Sequence, residues 1–202
     1  MTSMPTLETE RLIIRPLAMD DLDVIHRILD AELAEVDFGS EGAKSLDARR
    51  EWLRWTILNY DQLARLYQPP YGERAIVLKS TGELIGAVGY VPCLNVFGQL
   101  PAFGGTRDGL TSTEFGLYYA LSPARHRRGY ASEAVRAMID YAFRRLGLRR
   151  IIATTTYSNE ASMGVMRKVG MRIERNPYPN PPWLQIVGFL ENEVGDYEAV
   201  KD

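Results

Sequence analysis

The chain has 202 residues, 46% hydrophobic and 25% charged, which suits a single globular domain able to bury most of its apolar surface. A formal net charge of −2 excludes a molecule-wide electrostatic trap for nucleic acid or anionic membrane. One cysteine, Cys93, excludes an intrachain disulfide and a cysteine-rich zinc site; with no apolar run of transmembrane length and no leader pattern, the expectation is a cytoplasmic protein.

In chain order, "LETERLIIRPL" alternates polar and apolar residues and predicts a first strand stopped at Pro16. "AMDDLDVIHRIL" sets Leu22, Ile25, Ile28 and Leu29 on one helical face, with Asp20 or Asp21 as its cap. A second helical pattern runs from about Leu46 to Tyr67. "RAIVLKSTGELIGAVGYV" reads as two strands joined by a Ser-Thr-Gly turn. A Gly-rich loop from about Asn95 to Gly109 leads to the strand "TEFGLYYAL", ended by Pro123. From Gly129, the positions Val135, Met138, Ile139, Ala142 and Leu146 keep helical spacing until Gly147. "RRIIATTTY" is a β-branched strand, and "NEASMGVMRKVG" a short helix capped by Ser158 or Asn159 and ended by Gly170. "MRIERN" and "LQIVGFLEN" predict two last strands around the Pro-rich "NPYPNPPW". This order gives an α/β (α+β) domain, a mixed sheet covered by helices.

Charge is uneven along the chain. Segment 125–150 holds eight arginines against Glu133 and Asp140, and segment 20–47 holds nine acids against Arg27 and Lys44. "LSPARHRRGYASEA" places Arg125, His126, Arg127 and Arg128 on one turn before a helix. Free N–H groups and the helix dipole make such a start an anion site, and Gly129 and Ala131 let an anion approach the main chain. Neither a GxxxxGK(S/T) loop nor a GxGxxG turn is present. Basic residues there also oppose the dipole, by about 0.3–1 kcal/mol each, and an anionic ligand would remove that cost. A solvated turn remains the alternative.

"HRRGYASEA" resembles the acetyl-CoA pyrophosphate loop of the GNAT N-acetyltransferase superfamily, Gln/Arg-x-x-Gly-x-Gly/Ala, with His126 at the position of Gln or Arg. "TLETERLIIRPLAMDD", "STGELIGAVGY", "TEFGLYYALSP" and "NEASMGVMRKVGM" are similar, in order, to further segments of its Rim-type branch, which acetylates the N-termini of ribosomal proteins. The resemblance spans nearly the whole chain and implies one domain, 1–202, with a mostly antiparallel sheet whose fourth and fifth strands splay apart. It also implies acetyl-CoA as cosubstrate and a primary amine, of a small molecule or a peptide N-terminus, as acceptor. The pantetheine arm would meet Tyr119, Ala120 and Leu121. The pyrophosphate would meet His126, Arg127, Arg128, Gly129, Tyr130 and Ala131, and Asn159 and Ser162 would reach the arm from the other side.

In that branch Glu114 would be the base, though an ion-paired strand residue is its alternative. Where many relatives carry an acidic Tyr this chain has Met166, which reads as packing, so Ser162 would donate to the leaving sulfur. The acceptor would enter between the first helices and the last loop, past the acidic tract Asp30–Glu41 and the Tyr178 and Trp183 of "NPYPNPPW". No metal and no nucleic acid are expected, and a monomer or homodimer is. A non-catalytic CoA-binding module is the competing reading, and an RNA-binding domain a third that lacks interleaved aromatics.

Overall fold

A computed structural model describes residues 5–34, 42–68 and 71–193. The segment expected to form one first strand forms two, β1 (Leu7–Glu8) and β2 (Leu12–Pro16), paired antiparallel. The turn between them is built by side chains: Thr9 Oγ1 accepts from Leu12 N at 2.9 Å and donates to Glu133 Oε1 at 2.5 Å. Glu133 also accepts from Arg11 N at 2.9 Å and Arg11 Nε at 2.7 Å. A residue 122 positions away thus fixes the hairpin, which alternation alone does not reveal.

Six further strands follow: β3 (Gly72–Leu78), β4 (Leu84–Asn95), β5 (Ser112–Leu121), β6 (Arg150–Thr155), β7 (Arg172–Arg175) and β8 (Ile186–Glu191). They form one sheet in the order β1-β2-β3-β4-β5-β6-β8-β7, antiparallel except for the β5–β6 pair. That parallel pair has a single registered position, Gly116 opposite Ile152. These are the two strands expected to splay, and they do.

Helix α1 (Leu22–His26) continues as a π-helical turn, Arg27–Glu32, and α2 spans Leu46–Arg65. They pack on one face of the sheet, where Leu22, Ile25, Ile28 and Leu53 meet Ala87 and Ala120. Helices α3 (Tyr130–Arg144) and α4 (Glu160–Lys168) cover the other, where Met138 and Met166 meet Ile14, Val88 and Ile151. Val88 and Ala87 fall on opposite faces as strand alternation requires. Asp21 occupies the N-cap position of α1 but makes no side-chain cap bond to that helix. Asp21 ends a 3-10 turn, Met19–Asp21, and its carboxylate reaches back to Ala18 N and to two nitrogens of Arg15, each at 2.8 Å. The Gly-rich loop contains two 3-10 turns, whose Phe97 and Leu100 are buried against Leu184 and Phe189.

The two helices of the first layer are fastened by a buried ion pair. Asp30, in the π-helical turn, accepts from Arg49 Nε and Nη2, both at 2.7 Å, and from Lys44 N at 2.8 Å. Its side chain is 2% exposed and that of Arg49 9%. Burial pushes the Asp30 carboxyl up, and the hydrogen bonds from Arg49 and Lys44 more than offset this, holding it below its ordinary value. Asp30→Ala leaves Arg49 buried and uncompensated and is expected to cost about 3–5 kcal/mol in urea unfolding. A carboxyl depressed in the folded state stabilises fully above its unfolded pKa of about 3.9, and that contribution is lost as pH falls through the folded value. Wild-type stability is therefore expected to fall below about pH 4, more steeply than that of Asp30→Asn.

Candidate functional site

Beyond Gly116 and Ile152 the strands β5 and β6 part, and a cavity of about 730 Å³ occupies the gap. Its walls are the later halves of both strands, the loop 125–131 and the first turns of α4. Val91, Cys93, Phe97, Leu33 and Trp183 line it as well. Among the described residues no helix is long and apolar enough to cross a membrane, and no His, Cys, Asp or Glu cluster is arranged to hold a metal.

The loop end has the backbone geometry of an anion cradle. Arg127 and Gly129 both adopt left-handed backbone, φ 59° and 84°, on either side of Arg128. Successive turns of this kind aim main-chain N–H groups into one concavity. The first intrahelical bond of α3 runs from Glu133 N to Gly129 O at 3.0 Å, so the N–H groups of Tyr130, Ala131 and Ser132 belong to the unpaired first turn. Glycine at 129 is required by its φ, and a Cβ there would stand 3.3 Å from Arg11 Nη2.

The side chains of this turn play differing parts. Arg127 and Tyr130 line the cavity; Arg128 does not, and its carbonyl accepts from Arg11 Nη1 at 3.1 Å. Arg125 lines it while ion-paired to Glu83. The amide of His126 is already bonded to Pro123 O at 3.1 Å, so it is not offered to a ligand. His126 Nε2 lies 2.9 Å from Leu121 O, an acceptor only, so Nε2 carries the hydrogen.

Across the gap, Asn159 caps α4 by accepting from Ser162 N at 2.9 Å, which leaves its Nδ2 donors for a ligand. Tyr119 Oη lies 2.7 Å from Ser162 Oγ, where either hydroxyl can donate, and 3.1 Å from Ser162 O. Burial pushes the Tyr119 hydroxyl up to about 12, against the opposing hydrogen bond with Ser162, so it is a neutral donor. This side-chain role of Tyr119 was not read from the sequence, although parity puts Tyr119 on the face of Phe115 and Leu117, toward α3 and α4. Met166 is fully buried and fills space that Gly188 leaves: a Cβ on Gly188 would meet its Sδ at 2.8 Å.

Glu114 stands apart from these residues. Arg150 holds both of its oxygens, Nη2 to Oε1 at 2.6 Å and Nε to Oε2 at 2.9 Å, and Ser112 Oγ adds a bond of 3.2 Å. It is 5% exposed and does not line the cavity. The Arg150 guanidinium, raised above its ordinary value mainly by this hydrogen bond, rests 4.1 Å from the Phe103 ring centroid. The acidic tract is also committed where it is described. Asp30 binds Arg49, and Glu32 accepts from Ser122 Oγ at 2.5 Å and Arg27 Nη1 at 2.7 Å. Residues 35–41 lie outside the described residues. Trp183 lines the cavity, whereas Tyr178 donates to Gly105 O at 3.3 Å.

Comparison with known proteins agrees with this arrangement. The family model described as acetyltransferase (GNAT) domain matches residues 11–172. An uncharacterized N-acetyltransferase, YoaA of Bacillus subtilis, is 30% identical over 171 residues, 84% of each chain. A spermidine N(1)-acetyltransferase of Escherichia coli is 24% identical over 174 residues, 85% of this chain and 77% of that protein. The structure of a ribosomal L7/L12 alpha-N-protein acetyltransferase, RimL, in complex with coenzyme A superposes with a TM-score of 0.61 at 16% identity, covering 92% of this chain and 94% of that one. The parted β5 and β6, the glycine-led start of α3 and the match over residues 11–172 have one explanation: the chain belongs to the GNAT family of acetyltransferases, enzymes that use acetyl-CoA.

Proposed function

We propose that the protein transfers the acetyl group of acetyl-CoA to a primary amine by direct attack within one ternary complex. The observation that carries this reading is the continuity of one cavity. It runs from the cradle at the α3 N-terminus, between the parted strands and past Ser162, to an opening beside Trp183. The residues fit the cosubstrate. Main-chain N–H groups of 128–131 face its phosphates, with Arg127 as a flanking charge. The edge of β5 that faces the gap, from Tyr119 through Ala120 to Leu121, runs beside the arm, opposite Asn159, with Leu121 O already held by His126 Nε2. Acetyl-CoA supplies an activated thioester carbonyl and a thiolate leaving group.

The chain's own groups then have distinct tasks. In this reading the single Tyr119 hydrogen goes to Ser162 Oγ and not to Ser162 O, which leaves the serine hydrogen for the sulfur. A free thiol ionises near about 8.5, so a donated hydrogen bond suffices there and a strong acid is not needed. Glu114 acts through Arg150 to hold the start of β6 against β5 below the gap, and takes no proton from the amine. The amine must arrive neutral, and an apolar opening favours that form by desolvating the ammonium. Likeness to an enzyme named for spermidine supports an amine acceptor, as does likeness to a protein N-terminal acetyltransferase.

Thiol release from acetyl-CoA across a panel of primary amines tests the reading; tight CoA binding without turnover on any amine would indicate a binding module. Ser162→Ala is expected to lower kcat about 10- to 100-fold with little change in the KM for acetyl-CoA. Tyr119→Phe should give a smaller loss in the same parameter. Gly129→Val combines a strained φ, about 1–3 kcal/mol, with a blocked approach to the main chain. It should weaken CoA binding at least about tenfold by calorimetry, 1.4 kcal/mol or more; unchanged affinity would remove the cradle. Glu114→Gln should lower the melting temperature and leave the shape of the pH–rate profile intact. Loss of the low-pH limb in that variant would instead restore Glu114 as the base.

A further inference from the structure

The opening that receives the amine is built from apolar side chains on four separate elements. Val91 and Cys93 come from β4, Phe97 from the 3-10 turn after it, Trp183 from the β7–β8 loop and Leu33 from the end of the first helix. Val91 and Trp183 are 42% and 37% exposed, so two large apolar groups stand at the solvent edge of a cavity instead of being buried. Burial pushes the Cys93 thiol up to about 11, which leaves it uncharged at neutral pH.

This wall is braced from behind by a buried polar network. Asn176, 2% exposed, donates from Nδ2 to Gln99 Oε1 at 2.9 Å, and Gln99, 6% exposed, donates from Nε2 to Asn180 O at 2.8 Å and Arg107 O at 3.1 Å. Asn176 N donates to Gln185 O at 2.8 Å, and Tyr157 Oη to Asn176 O at 2.9 Å. The loop carrying Phe97 and the loop carrying Trp183 are therefore cross-linked into one rigid surface. A satisfied buried network of this kind fixes geometry, which is what a shape-selective pocket needs.

Among the described residues, Asp30 is bound to Arg49, Glu32 to Ser122 and Arg27, and Glu114 to Arg150. Glu73, whose carboxyl burial pushes up, lies near Tyr118 but does not line the cavity. Among the described lining residues the one carboxylate is Glu160, in the first turn of α4 beside Asn159. It sits on the side assigned to the pantetheine arm and is loosely paired with Arg167 at 3.4 Å. A second ammonium held at this opening would lose hydration against Val91, Phe97 and Trp183.

We infer that the acceptor is a primary amine carrying an aromatic or branched aliphatic group close to the nitrogen. The inference rests on the acetyl-transfer reading above and adds the class of substrate to it. Val91 and Trp183 hold the apolar group, with the buried Phe97 behind them, and the amine nitrogen points past them toward the gap between β5 and β6.

Initial rates of thiol release at saturating acetyl-CoA, with phenethylamine, isoamylamine and spermidine as acceptors, test this. Expected is a kcat/KM for phenethylamine at least about tenfold above that for spermidine, 1.4 kcal/mol in barrier. Trp183→Ala and Val91→Ser should each reduce that ratio at least about fivefold while CoA affinity by calorimetry stays as in wild type. Two variants on separate elements keep the test valid if one misfolds. Spermidine used as well as phenethylamine, or a ratio unmoved in both folded variants, overturns the inference and leaves acetyl transfer standing. Absence of thiol release with every amine, CoA still binding, overturns the acetyl-transfer reading and this inference with it.

Discussion

The single registered pair between β5 and β6, Gly116 opposite Ile152, is the constraint on which the site depends. Parallel strands need a long crossover, and here α3 provides it, leaving the end of β5 and returning to the start of β6. Each strand has a full antiparallel partner on its outer side, β4 for β5 and β8 for β6. Neither can swing inward to close the gap without breaking those ladders. Main-chain groups on the inner edges past Gly116 are therefore left for a ligand or water, because backbone N–H and C=O groups need partners. Gly116 itself allows β4 close to the apex: a Cβ there would meet Val91 O at 2.8 Å.

Around that gap the electrostatics are arranged more through the main chain than through formal charges. The arginine-rich turn looks strongly basic in one dimension. In three, Arg125 faces Glu83, Arg11 faces Glu133, and Arg128 turns its side chain away from the cavity lining. What remains is the α3 N-terminus with two left-handed residues before it and Arg127 at its side. The opposite end is lined by apolar side chains among the described residues. The proposed reading puts phosphate recognition and amine recognition at opposite ends of one cavity, with the Tyr119–Ser162 pair between them.

Elements with strong local signals were legible in the sequence. The periodicity of α2 and α3, the hairpin of β3 and β4 and a cap at Ser158 or Asn159, which the fold gives to Asn159, follow from spacing or local chemistry; the packing role of Met166 followed from the family resemblance. The hairpin inside residues 7–16 was not, because its turn depends on Glu133 in α3. Glu114 shows the same limit. An ion-paired strand residue was one of its two readings, but the partner, Arg150, is 36 residues away and carries no local signal. Tyr119 was read for its backbone alone, since only the tertiary fold brings its hydroxyl to Ser162. In the acidic tract from Asp30 onward, the partners of the described members were likewise illegible: Arg49 holds Asp30, and Ser122 and Arg27 hold Glu32.

Hydrogen–deuterium exchange with and without coenzyme A tests most directly whether the gap between β5 and β6 is the cosubstrate's place. Expected is new protection concentrated in peptides covering 117–121, 127–132 and 159–163, with the outer strand β7 unchanged. Saturating CoA that leaves those three segments exchanging as before, while protecting amides elsewhere, would contradict the assignment of the parted strands and the α3 N-terminus.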